Sequence, residues 1–87
     1  MKIVILSRNA EKALLKAEAK YKKMIAEAID DLSMWGDMPK NRDIIKMNGF
    51  DSTFRIRVGI YRIIFVCIGN SVTITVLEIK KRKDAYK

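Results

Sequence analysis

The sequence predicts an α+β fold with the element order β-α-α-β-β-β, in which a helical hairpin packs on a mostly antiparallel four-stranded sheet. Three observations predict it. Apolar residues recur every three or four positions between residues 10 and 35, as in amphipathic helices. Apolar and polar residues alternate over 54–58 and 71–79, as in strands with one covered face. A cluster of turn residues, Gly36-Asp37-Met38-Pro39, separates the helical half from the strand-rich half.

The N-terminal half predicts one strand and two helices. Ile3 to Leu6 is a short apolar run typical of a buried strand, and either Ser7 or Asn9 can cap the helix after it. The apolar stripe of the first helix consists of Ala10, Ala13, Leu14, Ala17 and Tyr21. The stripe of the second helix consists of Tyr21, Met24, Ile25, Ala28, Leu32 and Trp35, and it stops before Gly36 and Pro39.

The C-terminal half predicts three strands joined by tight turns. Strict alternation over Phe54 to Val58 places Arg55 and Arg57 on one face of a strand. Gly59-Ile60 supplies a two-residue hairpin turn with Gly in the first position. The β-branched and aromatic run Tyr61 to Ile68 predicts a central strand with both faces largely covered. The remaining elements are a turn at Gly69-Asn70, a last strand over Ser71 to Ile79 and a polar run from Lys80 to Lys87.

Length and composition exclude several classes of protein. A chain of 87 residues is expected to form one domain over 1–87. A single Cys67 and no His exclude an internal disulfide, a zinc site of the Cys/His kind and a His-dependent catalytic triad. No metal or other cofactor is expected. The opening apolar run is too short for a signal peptide or a membrane span, so the expected location is the cytoplasm, with no membrane partner. Cys67 is expected to be a small buried residue in a strand.

The charge is concentrated in one half of the chain. There are 18 Lys and Arg against 10 Asp and Glu, a net charge of +8. Residues 1–44 carry net +2, whereas residues 45–87 carry net +6. A strongly basic half predicts a polyanionic partner such as a nucleic acid.

Three arginines of the strand region are the sharpest local signal. Arg55 and Arg57 alone are typical of a solvated edge strand. Arg62, however, lies in a strand that has no other charge, and burial of an unpaired arginine costs free energy. Its expected role is either a direct catalytic one or a structural ion pair with Glu78, and both can hold together.

The C-terminal run Lys80-Lys81-Arg82-Lys83 and Tyr86 extend this candidate surface. Such runs are commonly solvated, and a terminal aromatic residue is commonly incidental. Beside three strand arginines, however, the run completes a cationic surface on which Tyr86 can stack against an unpaired base. The residues expected to form the core besides the stripes are Phe50, Phe54, Trp35 and the methionines at 24, 34, 38 and 47, with a partner groove near residues 34–38 as the weaker alternative.

Two segments together resemble the RelE/ParE toxin superfamily over essentially the whole chain. The run Phe54-Arg55-Ile56-Arg57-Val58-Gly59-Ile60-Tyr61-Arg62-Ile63-Ile64-Phe65 resembles the family's "yR-x-R-x-G-x-yR-ϕ-ϕ-y" signature. The ending Val76 to Tyr86 is similar to its closing strand and "hRkdvY" tail. The resemblance implies the toxin of a type II toxin-antitoxin pair, with a cognate antitoxin protein as partner.

The resemblance implies one of two activities. RelE-like members cleave mRNA in the ribosomal A site without metal, by attack of a ribose 2′-hydroxyl on the adjacent phosphate, so the ribosome and mRNA are the implied partners. ParE-like members inhibit DNA gyrase and need no nuclease residues. A non-toxic RNA-binding module on the same fold is the third alternative.

The resemblance also implies roles for individual residues. Arg62 and Arg82 would stabilise the phosphate, because guanidinium groups bind developing oxyanion charge. Arg57 would lie nearest the attacking hydroxyl, Arg55 would position the RNA backbone with Lys80 and Lys83, and Tyr86 would stack on the base. This chain departs from relatives that carry Lys at the strand positions, or His where Lys81 stands. Arginine is a poor general base, because its pKa lies above about 12. The alternatives for the base are Lys81, Lys80 or a group of the ribosome.

Overall fold

Two helices lie on one face of a five-stranded sheet. A computed structural model describes residues 2–35, 42–47, 49, 52–69 and 71–81. The elements in chain order are β1 (Ile3–Leu6), α1 (Arg8–Lys16), α2 (Ala19–Leu32), β2 (Asp43–Lys46), β3 (Thr53–Val58), β4 (Tyr61–Val66) and β5 (Thr73–Lys81). The α+β class and the helical hairpin on a mostly antiparallel sheet are confirmed.

The sheet contains one strand more than the sequence predicted. Its order is β1-β5-β4-β3-β2, with β1 parallel to β5 and the other pairs antiparallel. The prediction of four strands missed β2, an edge strand of four residues that pairs with β3 from Asp43 opposite Arg57 to Lys46 opposite Phe54. Two isoleucines between charged residues are too short a run for strand periodicity, so the pairing with β3 defines this strand.

The helices are shorter than their apolar stripes suggested. The chain leaves helical geometry at Ala17 and Glu18, whereas the sequence placed the junction at Tyr21. The Glu18 backbone N–H donates to the Tyr61 hydroxyl at 3.1 Å, which ties this junction to the start of β4. Ser7, one of the two predicted caps, accepts a hydrogen bond from the Ala10 N–H at 3.0 Å and is the N-cap of α1.

The core lies between the helices and one face of the sheet. Its largest fully buried residues are Phe65, Ile25, Leu32, Ile56, Ile63, Ile74 and Val76. Trp35, beyond the end of α2, packs edge-on against Phe54 and Phe65 with ring centroids 5.0 and 5.3 Å away. Cys67 is buried as predicted, although it follows the end of β4.

Part of the predicted core is exposed. Met24 and Met34 were wrongly placed inside, because Met24 lies off the buried side of α2 and Met34 lies in the turn after it. The core prediction for Phe50 and Met38 falls outside the described residues. The second face of β4 is half-buried instead of largely covered, because no helix lies over it.

Both predicted turns of the strand region contain a glycine with positive φ. Gly59 (φ +58°) joins β3 to β4, where Val58 lies opposite Tyr61. Gly69 (φ +50°) lies in a turn that the Ser71 N–H closes by donating to the Ile68 carbonyl at 2.9 Å. Strand β5 begins at Thr73 and reaches Lys81, so it extends two residues beyond the predicted end at Ile79.

Candidate phosphate-binding site

The sheet face away from the helices carries a row of cationic side chains across three neighbouring strands. Arg57 of β3 lies opposite Arg62 of β4, and Arg62 lies opposite Lys80 of β5. Asp43 of β2 continues the row beyond Arg57. Directly opposed residues of a sheet have their Cβ atoms about 4.5–5.5 Å apart, and like charges there are destabilising. Such a row therefore favours binding of an anion.

One end of this row is partly neutralised. Arg57 Nε lies 3.6 Å from Asp43 Oδ2, and both side chains are about half exposed, at 50% and 48%. An ion pair as open to water as this contributes little free energy, roughly 0–1 kcal/mol. Arg57 therefore remains available to an incoming phosphate.

A cavity of about 350 Å³ lies beside the row. Its strand β2 side consists of Ile45, Lys46 and Met47, and its other side consists of Arg55, Arg62, Ile64 and Lys80. Three of the predicted site residues, Arg55, Arg62 and Lys80, are thus brought together around one concave space. The β2 side is mostly apolar apart from Lys46, and the other side is mostly cationic apart from Ile64.

Arg55 is held in this cavity in an unusual environment. It lies between Ile45 of β2 and Ile64 of β4 in the cross-strand register. Its Nε is buried and has no hydrogen-bond partner among the described residues. A buried donor left unpaired costs about 1–3 kcal/mol, and more when the group is charged. An oxyanion in the cavity would satisfy this donor with a charge-assisted hydrogen bond.

A β-bulge in β5 decides which of the two neighbouring lysines reaches this face. Ile64 lies opposite Glu78 but Phe65 lies opposite Val76, so Leu77 is the extra residue. The Leu77 carbonyl accepts a hydrogen bond from the Ser7 hydroxyl at 2.6 Å. After Leu77 the side chains of β5 alternate between the two faces of the sheet in the opposite order, so Glu78 and Lys80 lie on the sheet face away from the helices, the helix-free face.

Lys81 lies on the other face. It is opposite Tyr61, whose side chain is buried under the helices, and its Nζ lies 3.3 Å from Glu18 Oε2. The structure therefore does not bring Lys81 together with the strand arginines. Arg82, Lys83 and Tyr86 lie outside the described residues.

Glu78 is the acidic residue of the cavity side of β5. Its register partner is Ile64, diagonal to Arg62, and its Oε2 lies 3.4 Å from Lys80 Nζ. This contact places a carboxylate beside the lysine that lines the cavity. An incoming anion would compete with Glu78 for Lys80.

Comparison with known proteins identifies the family. The model of the ParE toxin of the type II toxin-antitoxin system parDE matches residues 4–86. The chain belongs to the RelE/ParE toxin superfamily. Putative toxin RelE1 of Methanocaldococcus jannaschii is 32% identical over 66 residues, which are 75% of this chain and 72% of that protein. This is the family that the two sequence motifs predicted.

Solved structures place the chain among RelE-like toxins. The RelB-RelE antitoxin-toxin complex from Methanococcus jannaschii matches with a TM-score of 0.78 and 27% identity, over 94% of each chain. The RelE-RelB complex from Pyrococcus horikoshii also matches with a TM-score of 0.78, at 25% identity over 93% of this chain and 94% of the other. The chain is therefore a RelE-like toxin of the type II toxin-antitoxin class.

In this RelE-like toxin, the signature residues occupy the β3–β4 hairpin. The sequence did not predict that the β2 side of the cavity would contribute to the site. That side consists of Ile45, Lys46 and Met47. The signal that could have found it is a β-branched pair, Ile44-Ile45, placed shortly before Asn48-Gly49 and the arginine strand.

Two features are absent from the described residues. Within them, no group of three or more His, Cys, Asp or Glu is arranged to hold a metal ion. No helix in the same part of this toxin is long and apolar enough to cross a membrane.

Proposed function

We propose that this toxin is a ribosome-dependent mRNA endonuclease, which cleaves mRNA in the A site and so inhibits translation. The observation that carries the proposal is the convergence of Arg55, Arg62 and Lys80 on one cavity, with Arg57 in the adjoining row. In the reaction the ribose 2′-hydroxyl loses its proton and forms a bond to the adjacent phosphorus, the bond from phosphorus to the 5′-oxygen of the next nucleotide breaks, and that oxygen takes up a proton, which leaves a 2′,3′-cyclic phosphate and a 5′-hydroxyl. The phosphate gains negative charge in the transition state.

The roles of the strand residues follow from their positions. Arg62 lies in the middle of the cationic row, between Arg57 and Lys80, so it is the residue best placed to bind the scissile phosphate. Arg55 would hold the RNA backbone through its buried Nε, and Arg57 would lie near the attacking hydroxyl. Preorganised cations of this kind stabilise charge without reorganising during the reaction.

The proton that leaves the 2′-hydroxyl needs an acceptor. Arginine retains its proton, which leaves lysine or a ribosomal group. Between the two candidate lysines, Lys80 lines the cavity whereas Lys81 contacts Glu18 on the other face. Lys80 is therefore the lysine placed to contact the RNA, but a lysine that binds phosphate as a cation has no free lone pair, so we propose a ribosomal group as the proton acceptor. Arg82, Lys83 and Tyr86 complete the proposal as a second phosphate-binding residue, a backbone contact and a base-stacking ring.

We also propose that a cognate antitoxin binds this chain. Two of the matching structures are RelB-RelE complexes. The net charge of +8 favours an antitoxin segment that is acidic or helical and covers the basic face. A cytoplasmic location is consistent with a ribosomal target.

The proposal is tested with purified toxin and ribosomes stalled on a defined mRNA, with cleavage positions mapped by primer extension. Wild-type toxin is expected to cleave in the A-site codon. Arg62→Ala is expected to lose about 10²–10³-fold in rate, the usual cost of removing one oxyanion-binding donor. Lys23→Ala, which removes an exposed cation from α2, is the matched control and is expected to cleave like wild type. Intact mRNA, or an Arg62→Ala variant as active as wild type, would contradict the mechanism.

A second candidate function is inhibition of DNA gyrase. The observation that favours it is the match of residues 4–86 to the ParE toxin model. It predicts inhibition of gyrase supercoiling by the purified toxin, with translation unaffected. A chain that affects neither process and is harmless on overexpression would instead be a non-toxic RNA-binding module.

A further inference from the structure

The two walls of the cavity have different chemistry. Ile45 and Met47 form a mostly apolar wall on the β2 side, where Lys46 adds one charge, and Ile64 extends the apolar surface onto β4. Arg62 and Lys80 form a cationic wall on the β4–β5 side. A ligand that fits both walls has an apolar flat part and an anionic part a few ångströms away.

The size and charge of the cavity indicate which class of ligand fits and where its phosphate binds. A volume of about 350 Å³ lies near the lower end of the range for small-ligand pockets, roughly 300–1,000 Å³. This is room for one nucleotide. Arg62 lies between Arg57 and Lys80 in the cross-strand row, so a phosphate bound at Arg62 has a further cation on either side. The base is then directed toward Ile45.

We propose that this cavity is a single-nucleotide subsite in which the β2 wall contacts the base. Ile45 and Met47 contact the face of the base, Arg62 and Lys80 bind the phosphate, and Arg55 Nε donates to a phosphate oxygen. The proposal rests on the proposed action on RNA and adds β2 to the substrate-binding surface. Contact of the base face with Ile45 and Met47 is open to purines and pyrimidines alike, and Lys46 adds a donor that acceptors on either kind of base can use.

Binding without ribosomes tests the subsite directly. Dissociation constants of wild-type toxin are measured by NMR titration with AMP, UMP and inorganic phosphate. AMP is expected to bind about tenfold more tightly than phosphate, as burial of roughly 50 Å² of apolar surface predicts. UMP is expected to bind within about threefold of AMP, because both bases contact the same wall. Equal affinity for AMP and phosphate would overturn the proposal.

Variants of Ile45 locate the base. Ile45→Asn is expected to lower AMP affinity to the phosphate level and leave phosphate affinity unchanged. Ile3→Asn is the control, because Ile3 is similarly exposed on the same sheet face but lies on the opposite edge strand. Ile45→Tyr keeps a bulky strand-forming residue and is expected to bind AMP at least about threefold more tightly through ring stacking. Unchanged AMP binding in both Ile45 variants would overturn the β2 assignment.

The outcomes separate the subsite from the proposed function. Preferential AMP binding without ribosomal cleavage would contradict only the endonuclease. Ribosomal cleavage by a toxin that binds AMP no better than phosphate would contradict only the subsite.

Discussion

The turn between β3 and β4 allows a sharp test of the fold around the site, through the substitution Gly59→Ala. Gly59 has φ +58°, and its hairpin sets Arg57 opposite Arg62. An L-residue in left-handed geometry costs about 1–2 kcal/mol. A Cβ at this position would lie 2.5 Å from Tyr21 Cε1 and 2.9 Å from Tyr21 Cδ1. The ring cannot retreat freely, because it packs on Tyr61 with centroids 5.5 Å apart.

The expected loss follows from these two contributions. Displacing a packed ring costs typically about 1–3 kcal/mol, so Gly59→Ala is expected to lower the free energy of unfolding by about 2–5 kcal/mol. Gly69→Ala is the matched control, because Gly69 has φ +50° and a Cβ there would meet nothing within 4 Å. Only the backbone contribution of about 1–2 kcal/mol is expected for it. Urea denaturation at constant m-value measures both losses, and equal losses would refute the steric argument.

Three further predictions concern the helix cap and the charges. Ser7→Ala removes the α1 cap and the hydrogen bond to the β5 bulge, so it is expected to lower the free energy of unfolding by about 1–2 kcal/mol. Asn9→Ala is expected to lower it by almost nothing. Equal losses for the two variants in urea denaturation would contradict the cap assignment. Glu78→Gln releases Lys80 from its ion pair, so the affinity for phosphate is expected to rise about twofold to fivefold. The affinity is measured by NMR titration, and an unchanged value would contradict this prediction. The logarithm of the association constant for single-stranded RNA falls linearly with the logarithm of the salt concentration, and Arg57→Gln is expected to make this slope less steep by about 0.7. An unchanged slope would show that Arg57 makes no phosphate contact.

Local patterns in the sequence were sufficient for the hairpin that carries the arginines. Alternation in the strand put Arg55 and Arg57 on one face, and the Gly59-Ile60 turn fixed their register with Arg62. Neither step needs contacts between distant parts of the chain. The same holds for Ser7, whose cap is a contact of three residues.

Features that depend on distant contacts could not be predicted in this way. Strand β2 has too few residues for its own periodicity and exists through its pairing with β3. The bulge at Leu77 reverses the alternation of β5, and its carbonyl is bonded to Ser7 from the other end of the chain. For this reason the sequence predicted that Lys80 and Lys81 belong to one cationic surface, although in the fold they lie on opposite faces of the sheet.

The separation of these two adjacent lysines provides the most direct measurement. Lys80→Gln and Lys81→Gln change the charge of the toxin equally, one residue apart, and A-site cleavage is measured for both on the same stalled ribosomes. If the helix-free face binds the scissile phosphate, Lys80→Gln is expected to slow cleavage about 10²-fold. Lys81→Gln, which loses only the exposed contact with Glu18, is expected to cleave within about threefold of wild type. Loss of cleavage in Lys81→Gln with full activity in Lys80→Gln would place the reaction elsewhere on the molecule.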